Sequence, residues 1–192
     1  MAEHSQDSLS DKKLVQLCKK DESYKAKKAL YKRYYQYSFS VALRYAVSEE
    51  LAAEIVNDSF VKLFRNLDEF KIDSSLRSWF RRIIINTAID HYRKEKKHLE
   101  NIPIEEPSMI EDGYEDIISA LTVKDILRLL EKLPEYHRII FNLYEIENYS
   151  HKEISEILDI SVGTSRSYLS RAKAQLQKLF IANFGERYER TL

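Results

Sequence analysis

The stretch SVGTSRSYLSRAKAQL, residues 161–176, sets two arginines, a glycine, a threonine and three further serines into what otherwise reads as the start of a long helix. Hydroxyls give and take hydrogen bonds with bases and phosphates, and guanidinium forks match the acceptor edge of guanine. The chemistry on offer is therefore contact with a nucleic-acid groove. Spacing sorts these residues. Val162, Ser165, Leu169, Ala172, Leu176 and Leu179 recur at intervals of three and four and face a core. Gly163, Thr164, Arg166, Ser167, Ser170 and Arg171 then face outward, and nothing bulky holds a groove away from the backbone. A merely solvated face on a capped helix would share much of this composition, and spacing alone does not separate the two.

Such a helix needs elements that hold it. Ser161 stands at an N-cap position three residues after Leu158, and Ser150 caps the segment before it, so SHKEISEIL and VGTSRSYLSRAKAQLQKLF form a helix-turn-helix. YHRIIFNLYEIEN precedes them as another helix. A further one carries Val123, Ile126, Leu127, Leu130 and Leu133 and ends at Pro134. Nearer the N-terminus, Ser10 caps a short helix through Lys20. Ala29, Leu30, Tyr34, Tyr37, Val41 and Tyr45 mark a long amphipathic helix, and Leu51, Ile55, Phe60, Leu63, Phe64 and Leu67 mark a third. After the polar stretch KIDSS, LRSWFRRIIINTAIDHYRKEKK makes a fourth helix that closes on a basic cluster.

The expected fold is all-α: two small helical bundles, residues 1–97 and 119–192, joined by a flexible acidic linker at 98–118. The linker holds seven acids, no Lys or Arg, and two of the three prolines. Charge follows the same division. The chain is neutral overall, with 31 basic and 31 acidic residues, yet residues 1–97 carry 20 basic against 14 acidic, 98–135 carry 3 against 10, and 136–192 carry 8 against 7. Binding to nucleic acid should then be local and partly self-masked.

Three Gly in the whole chain leave little material for phosphate-cradling loops. No carboxylate pair of catalytic type stands out, the five His are scattered, and Cys18 is the one cysteine. The expectation is a protein with no enzymatic activity, metal, cofactor, disulfide or small-molecule substrate. MAEHSQDSLSDKK lacks the apolar run of a signal peptide, and no segment reaches the roughly 18 apolar residues of a membrane span, so a cytoplasmic protein without membrane insertion is expected.

Other groups carry two readings each. Asn57 and Asp58 put an exposed amide and acid beside Phe60, Leu63 and Phe64, which fill a core or form a docking face. Trp79, the only Trp, is core or a stacking surface for an unpaired base. Arg93, Lys94, Lys96 and Lys97 complement a helix dipole or hold phosphates, and their place on the helix of Trp79 and Asn86 favours phosphates. Tyr31, Tyr34, Tyr35 and Tyr37 fall at helical spacing and read as core and rim.

LEKLPEYHRIIFNLYEIENYSHKEISEILDISVGTSRSYLSRAKAQL resembles region 4 of the sigma-70 family in its extracytoplasmic-function type. AAEIVNDSFVKLFRNLDEF and SLRSWFRRIIINTAIDHYRKEKK resemble the two main helices of region 2. Together the matches span most of residues 24–180 in the family's order. The resemblance implies a transcription initiation subunit that binds core RNA polymerase and promoter DNA and is held by an anti-sigma factor. By the same resemblance, Asn57, Asp58, Phe60, Leu63 and Phe64 meet the polymerase clamp. Ser74 and Ser75 form a pocket for a flipped base at the −10 element, bordered by Trp79 and Asn86, with Arg77, Arg81, Arg82, Arg93 and Lys94 along the DNA. Thr164, Arg166, Ser167, Ser170 and Arg171 read the −35 element. Four positions depart from the family's usual pattern. Asn148 stands where Gly is usual and must take a left-handed conformation. Ser165 replaces Val on the inner face, and its hydroxyl is expected to bond back to the carbonyl four residues earlier. Ile84 and Ile85 replace Ala and a basic residue, which puts a phosphate contact at 85 in question. A sigma-like decoy that sequesters an anti-sigma factor without binding DNA would have lost its basic cluster, yet Arg93, Lys94, Arg166 and Arg171 are present.

Overall fold

The computed structural model describes residues 9–19, 24–96 and 123–188; the linker expected at 98–118 and Lys97 lie outside them, as does the side chain of Lys96. The chain divides into two compact units, Met1–Glu100 and Asn101–Leu192. Among the described residues every regular element is helical: α1 (Asp11–Lys19), α2 (Tyr24–Ala42), α3 (Glu49–Arg65), α4 (Leu76–Lys96), α5 (Val123–Glu131), α6 (Glu135–Phe141), α7 (His151–Leu158) and α8 (Val162–Tyr188), with a short 3-10 turn at Leu67–Glu69 and a π turn at Asn142–Ile146.

In the first unit α2 packs on α1, α3 and α4, and α3 packs on α4. The 3.6-residue period brings Leu30, Tyr34 and Val41 to the inner face of α2, Ile55, Val56, Phe60 and Leu63 to that of α3, and Phe80, Ile84 and Ile85 to that of α4. Phe80 sits at the centre, its ring 4.8 Å from that of Phe60 and 6.1 Å from that of Tyr34. Each such ring, fully buried, stabilises the bundle by about 1.5–3 kcal/mol relative to exposure. Polar ties fix the outer helix. Asp11, in the first turn of α1, accepts from Arg33 at 2.9 Å with one oxygen and from the Tyr34 hydroxyl with the other. Burial, then this bond, pushes the Tyr34 phenol well above its usual range. At its other end Lys19 donates to the carbonyls of Asp68 and Phe70, both at 3.3 Å. Of the four clustered tyrosines, Tyr34 is buried and Tyr31, Tyr35 and Tyr37 are half-buried, as their spacing implies.

In the second unit α8 is the common wall against which α5, α6 and α7 pack. Leu130, Leu133 and Ala172 form a buried cluster with Phe141, Leu176 and Leu179 against it. Pro134 stands before α6 as its N-cap, its carbonyl accepting from Arg138 N at 3.0 Å, so it opens this helix as well as following α5. The helix expected through Asn148 changes register before it ends. Buried Asn142 turns its side-chain amide to the Arg138 carbonyl at 2.9 Å, and Glu147 N reaches back to Asn142 O at 3.0 Å, an i to i−5 bond. Asn148 then takes φ 58°, the left-handed conformation its position demands.

Candidate nucleic-acid interface

The helix-turn-helix is built by caps. At the start of α7, Ser150 Oγ accepts from Glu153 N at 3.3 Å while Glu153 Oε2 accepts from Ser150 N at 2.8 Å, a reciprocal capping box. The Ser150 N–H and the Ser150 hydroxyl, which donates to the same oxygen at 2.7 Å, hold the Glu153 carboxyl below its usual value. The helix stops at Asp159, which takes φ 54°, and Ile160 N bonds Ser155 O at 3.1 Å in a Schellman-type closure. Ser161 opens α8: its Oγ accepts from Thr164 N at 2.9 Å and shares a hydrogen with Thr164 Oγ1 at 2.8 Å. A Cβ on Gly163 would meet only Ser161 Oγ at 3.6 Å, an ordinary contact, so packing within the fold does not require glycine there.

The inner and outer faces of α8 fall as the spacing implies. Ser165, Leu169 and Ala172 are buried and Val162, Leu176 and Leu179 half-buried. Gly163 and Arg166 are exposed, with Thr164, Ser167, Ser170 and Arg171 half-buried. Arg171 lies over the ring of Tyr168 at 5.9 Å, and Tyr168 packs on Tyr136 and His137 at 5.0 and 5.3 Å. One expectation is corrected. The Ser165 hydroxyl is directed across to His151 of α7, with Oγ 2.9 Å from Nδ1, because the imidazole supplies a partner on the inner face. The His151 ring stacks on Tyr144 at 4.4 Å.

In the first unit the loop before α4 engages its own serines. Ser74 Oγ donates to Lys71 O at 2.6 Å, and Ser75 Oγ accepts from Ser78 N at 3.3 Å as a cap of α4. Trp79 is half-buried against Phe70, ring centroids 5.1 Å apart. Trp79, Arg82, Asn86 and Arg93 follow one another by three, four and seven residues along one face of α4, and Arg82, Asn86, Arg93 and Lys94 are exposed. Arg77 and Arg81 lie on a different stripe. The Arg77 guanidinium sits 4.3 Å from the Tyr37 ring centroid and Arg81 Nη1 reaches Tyr37 OH at 3.5 Å. The candidate DNA residues of α4 thus lie on two stripes, and on the second the exposed Arg77 and half-buried Arg81 also contact Tyr37 of α2. Ile84 and Ile85 are buried, so position 85 points into the core.

On α3, Asn57 and Asp58 are exposed and Phe64 is half-buried, whereas Phe60 and Leu63 are core. Asp58 Oδ2 lies 2.9 Å from His91 Nε2, and Lys62 Nζ lies 2.7 Å from Asp90 Oδ2, so two acid–base pairs cross from α3 to α4. Tyr31 OH donates to Asn57 Oδ1 at 3.3 Å. Val61, 47% exposed, follows Asp58 by one helical turn; the i, i+3 spacing is the signal that would have put it in this patch. His91 and His151 gave no comparable signal, since each is defined by the helix opposite.

Among the described residues no cluster of His, Cys, Asp and Glu could hold a metal, and no helix is long and apolar enough to cross a membrane. Residues 30–98 match the family model for sigma-70 region 2, and residues 124–176 match that for sigma-70 region 4. The chain is 31% identical to the ECF RNA polymerase sigma-E factor of Salmonella typhimurium over 178 residues, covering 87% of this chain and 92% of that one. It is 30% identical to the factor of the same description from Escherichia coli K12 over the same shares, and 31% identical to RNA polymerase sigma factor YlaC of Bacillus subtilis, covering 78% and 88%. The solved structure of sigma factor RpoE in complex with the anti-sigma factor NepR, from Bartonella quintana, aligns with a TM-score of 0.49 at 22% identity, over 81% of this chain and 97% of that one.

Proposed function

Because the chain belongs to the sigma-70 family of RNA polymerase sigma factors, in its extracytoplasmic-function branch, we propose a division of labour along it that follows the two groups of surface residues. The protein directs core RNA polymerase to promoters. In this reading residues 1–97 hold the polymerase and open the −10 element, 98–118 connect, and 119–192 read the −35 element.

The observation that carries the reading is the doubly capped helix-turn-helix whose second helix turns Gly163 and Arg166 outward. A recognition helix reads bases with its N-terminal residues, so Arg166, within the first two turns, takes a base edge. Arg171, more than a turn later and lying over Tyr168, holds backbone phosphate. Thr164, Ser167 and Ser170 supply short hydroxyl contacts between them. On α4, Trp79 and Asn86 border the unpaired strand and Arg82, Arg93 and Lys94 follow its phosphates. Ser74 and Ser75 bound the pocket for the base that leaves the stack, a step that costs a few kcal/mol and needs both room and a stacking surface. Arg77 and Arg81 support this face from Tyr37. Asn57, Asp58, Val61 and Phe64 meet a basic clamp on the polymerase, with Phe60 and Leu63 holding the helix from below.

The protein has no catalytic centre of its own in this reading and acts in the cytoplasm with the polymerase, released or withheld by an anti-sigma factor. Transcription in vitro with core polymerase and a genomic library tests it. Starts are expected downstream of a shared pair of elements; starts no different from those of core polymerase alone would overturn it.

A further inference from the structure

His151 and Ser165 come from different helices, and the bond between them joins the first residue of α7 to the first turn of α8, one residue before Arg166. Ser165 is fully buried, so its hydroxyl has to find a partner inside the protein. The imidazole supplies it, and is itself held by stacking on Tyr144 with 24° between the rings. A second tie lies further along: Lys173 Nζ meets Glu145 Oε1 at 2.8 Å, again linking α8 to the segment that carries Tyr144. α8 is therefore gripped at Ser165 and Lys173 by residues from 144 to 151.

We propose that His151 is a positioning residue for base recognition: through Ser165 it fixes the rotation of α8 about its own axis and so sets where the Arg166 guanidinium meets a base edge. The proposal rests on the reading that Arg166 faces DNA. An outer helix surface stands roughly 5–6 Å from the axis, so a rotation of about 10° carries a group there by about 1 Å. That displacement breaks a two-pronged hydrogen bond while leaving the helix in the groove. Backbone phosphate contacts made by flexible side chains tolerate it. Preference for one base thus depends on the His151–Ser165 bond far more than general affinity does. A neutral imidazole has one donor and one acceptor nitrogen, and a hydroxyl complements either at Nδ1, so the bond forms in both tautomers.

The test is a selection over randomised upstream elements with the full-length protein and core polymerase. The variants are His151→Phe, which keeps a ring on Tyr144 but removes Nδ1, Ser165→Ala, the two combined, and His151→Asn, whose amide can replace Nδ1. Arg166→Ala is run beside them. Both single changes are expected to relax preference at the base that Arg166 reads by about two- to tenfold, the worth of one hydrogen bond, with the salt dependence of binding unchanged. The combination should do no more than either single change, and His151→Asn should restore the preference. If Arg166→Ala relaxes a base preference while Ser165→Ala and His151→Phe leave it intact, or weaken all sequences alike, the positioning role is wrong and the reading of α8 stands. If Arg166→Ala changes no preference, the reading of α8 is itself wrong and the positioning role falls with it. Ser165→Ala is a one-atom deletion in a packed helix and carries the test alone should His151→Phe not fold.

Discussion

His91 Nε2 stands 2.9 Å from Asp58 Oδ2, so α4 braces the carboxylate on α3 that is proposed above to meet the polymerase. One oxygen faces the imidazole, and with its side chain 54% exposed the acid keeps a surface for a basic partner. The neighbouring Lys62–Asp90 pair crosses between the same helices in the opposite sense.

Asp58→Arg should abolish binding to core polymerase while leaving the fold intact. An exposed ion pair contributes about 0–1 kcal/mol to stability, whereas like charge set against a basic clamp costs several kcal/mol. Co-migration with core polymerase on size exclusion, with the melting temperature as control, checks this; normal complex formation by a folded variant would remove the assignment.

Trp79→Ala should impair promoter opening more than duplex binding, because a stacking surface matters only after the base leaves the duplex. Activity should recover on a template pre-melted at the downstream element. Arg77→Gln is expected to behave differently. It loses the contact over Tyr37, worth about 0.5–1 kcal/mol, and should lower stability with little change in opening. Comparing duplex and pre-melted templates for both variants decides between them.

Gly163→Ala should stabilise the second unit by about 0.5–1 kcal/mol, since alanine suits a helix better than glycine and the new methyl meets only Ser161 Oγ at 3.6 Å. Binding to the upstream element should weaken nonetheless if that backbone approaches the groove. A rise in melting temperature with unchanged DNA affinity would place the groove elsewhere.

Acid should destabilise the second unit through two histidines. Burial, with Arg171 adding and Gln175 opposing, holds His137 below the ordinary value. Burial, Arg166 and Lys173 do the same to His151, with Glu145 opposing. Folded-state values below the unfolded one of about 6.5 mean that the unfolded chain takes up protons first as pH falls. This share of stability is level above about pH 6.5 and is lost progressively below it. Hydrogen exchange of α6 to α8 across pH 7.5 to 5.5 measures the loss, and His137→Gln should flatten it; protection that grows on acidification in this window would contradict the sign.

Cys18 should be inert. It is buried in α1, and burial pushes its thiol up to about 11 despite the nearby Lys27. Against an ordinary value of 9.0 for the thiol, the reactive thiolate at neutral pH is scarcer by about a hundredfold. Labelling by a thiol reagent should follow unfolding rather than reagent concentration.

Much of this architecture was legible because helices announce their inner faces. The apolar period located three of the four N-terminal helices, Ser10 marked the first by its cap, and Ser150 and Ser161 marked the helix-turn-helix by their capping chemistry. Asn148 was legible as a left-handed position. Asp159 was not, since an aspartate adopts that conformation only where the following turn rewards it, here with the Ile160 to Ser155 bond. Several unforeseen contacts run between helices. Periodicity says that Ser165 faces inward but not that His151 is opposite, and it lists Arg77 beside Trp79 without showing that Tyr37 holds one of them. The π turn was hidden for a local reason: it depends on the buried Asn142 amide bonding the Arg138 carbonyl four residues earlier.

One rod runs through the second unit. α8 continues from Val162 to Tyr188, 27 residues, or about 40 Å at 1.5 Å per residue. Its first turns carry the residues proposed to read DNA, its middle is wall for the bundle, and its C-terminal part carries Ile181, 59% exposed. A stiff beam pivoted near its middle transmits angle: a tilt of about 5° imposed at one tip swings the other by roughly 2 Å over a half-length of about 20 Å. On the reading of α8 proposed above, a partner that tilted the far tip would shift the turns that carry Arg166 without touching a base.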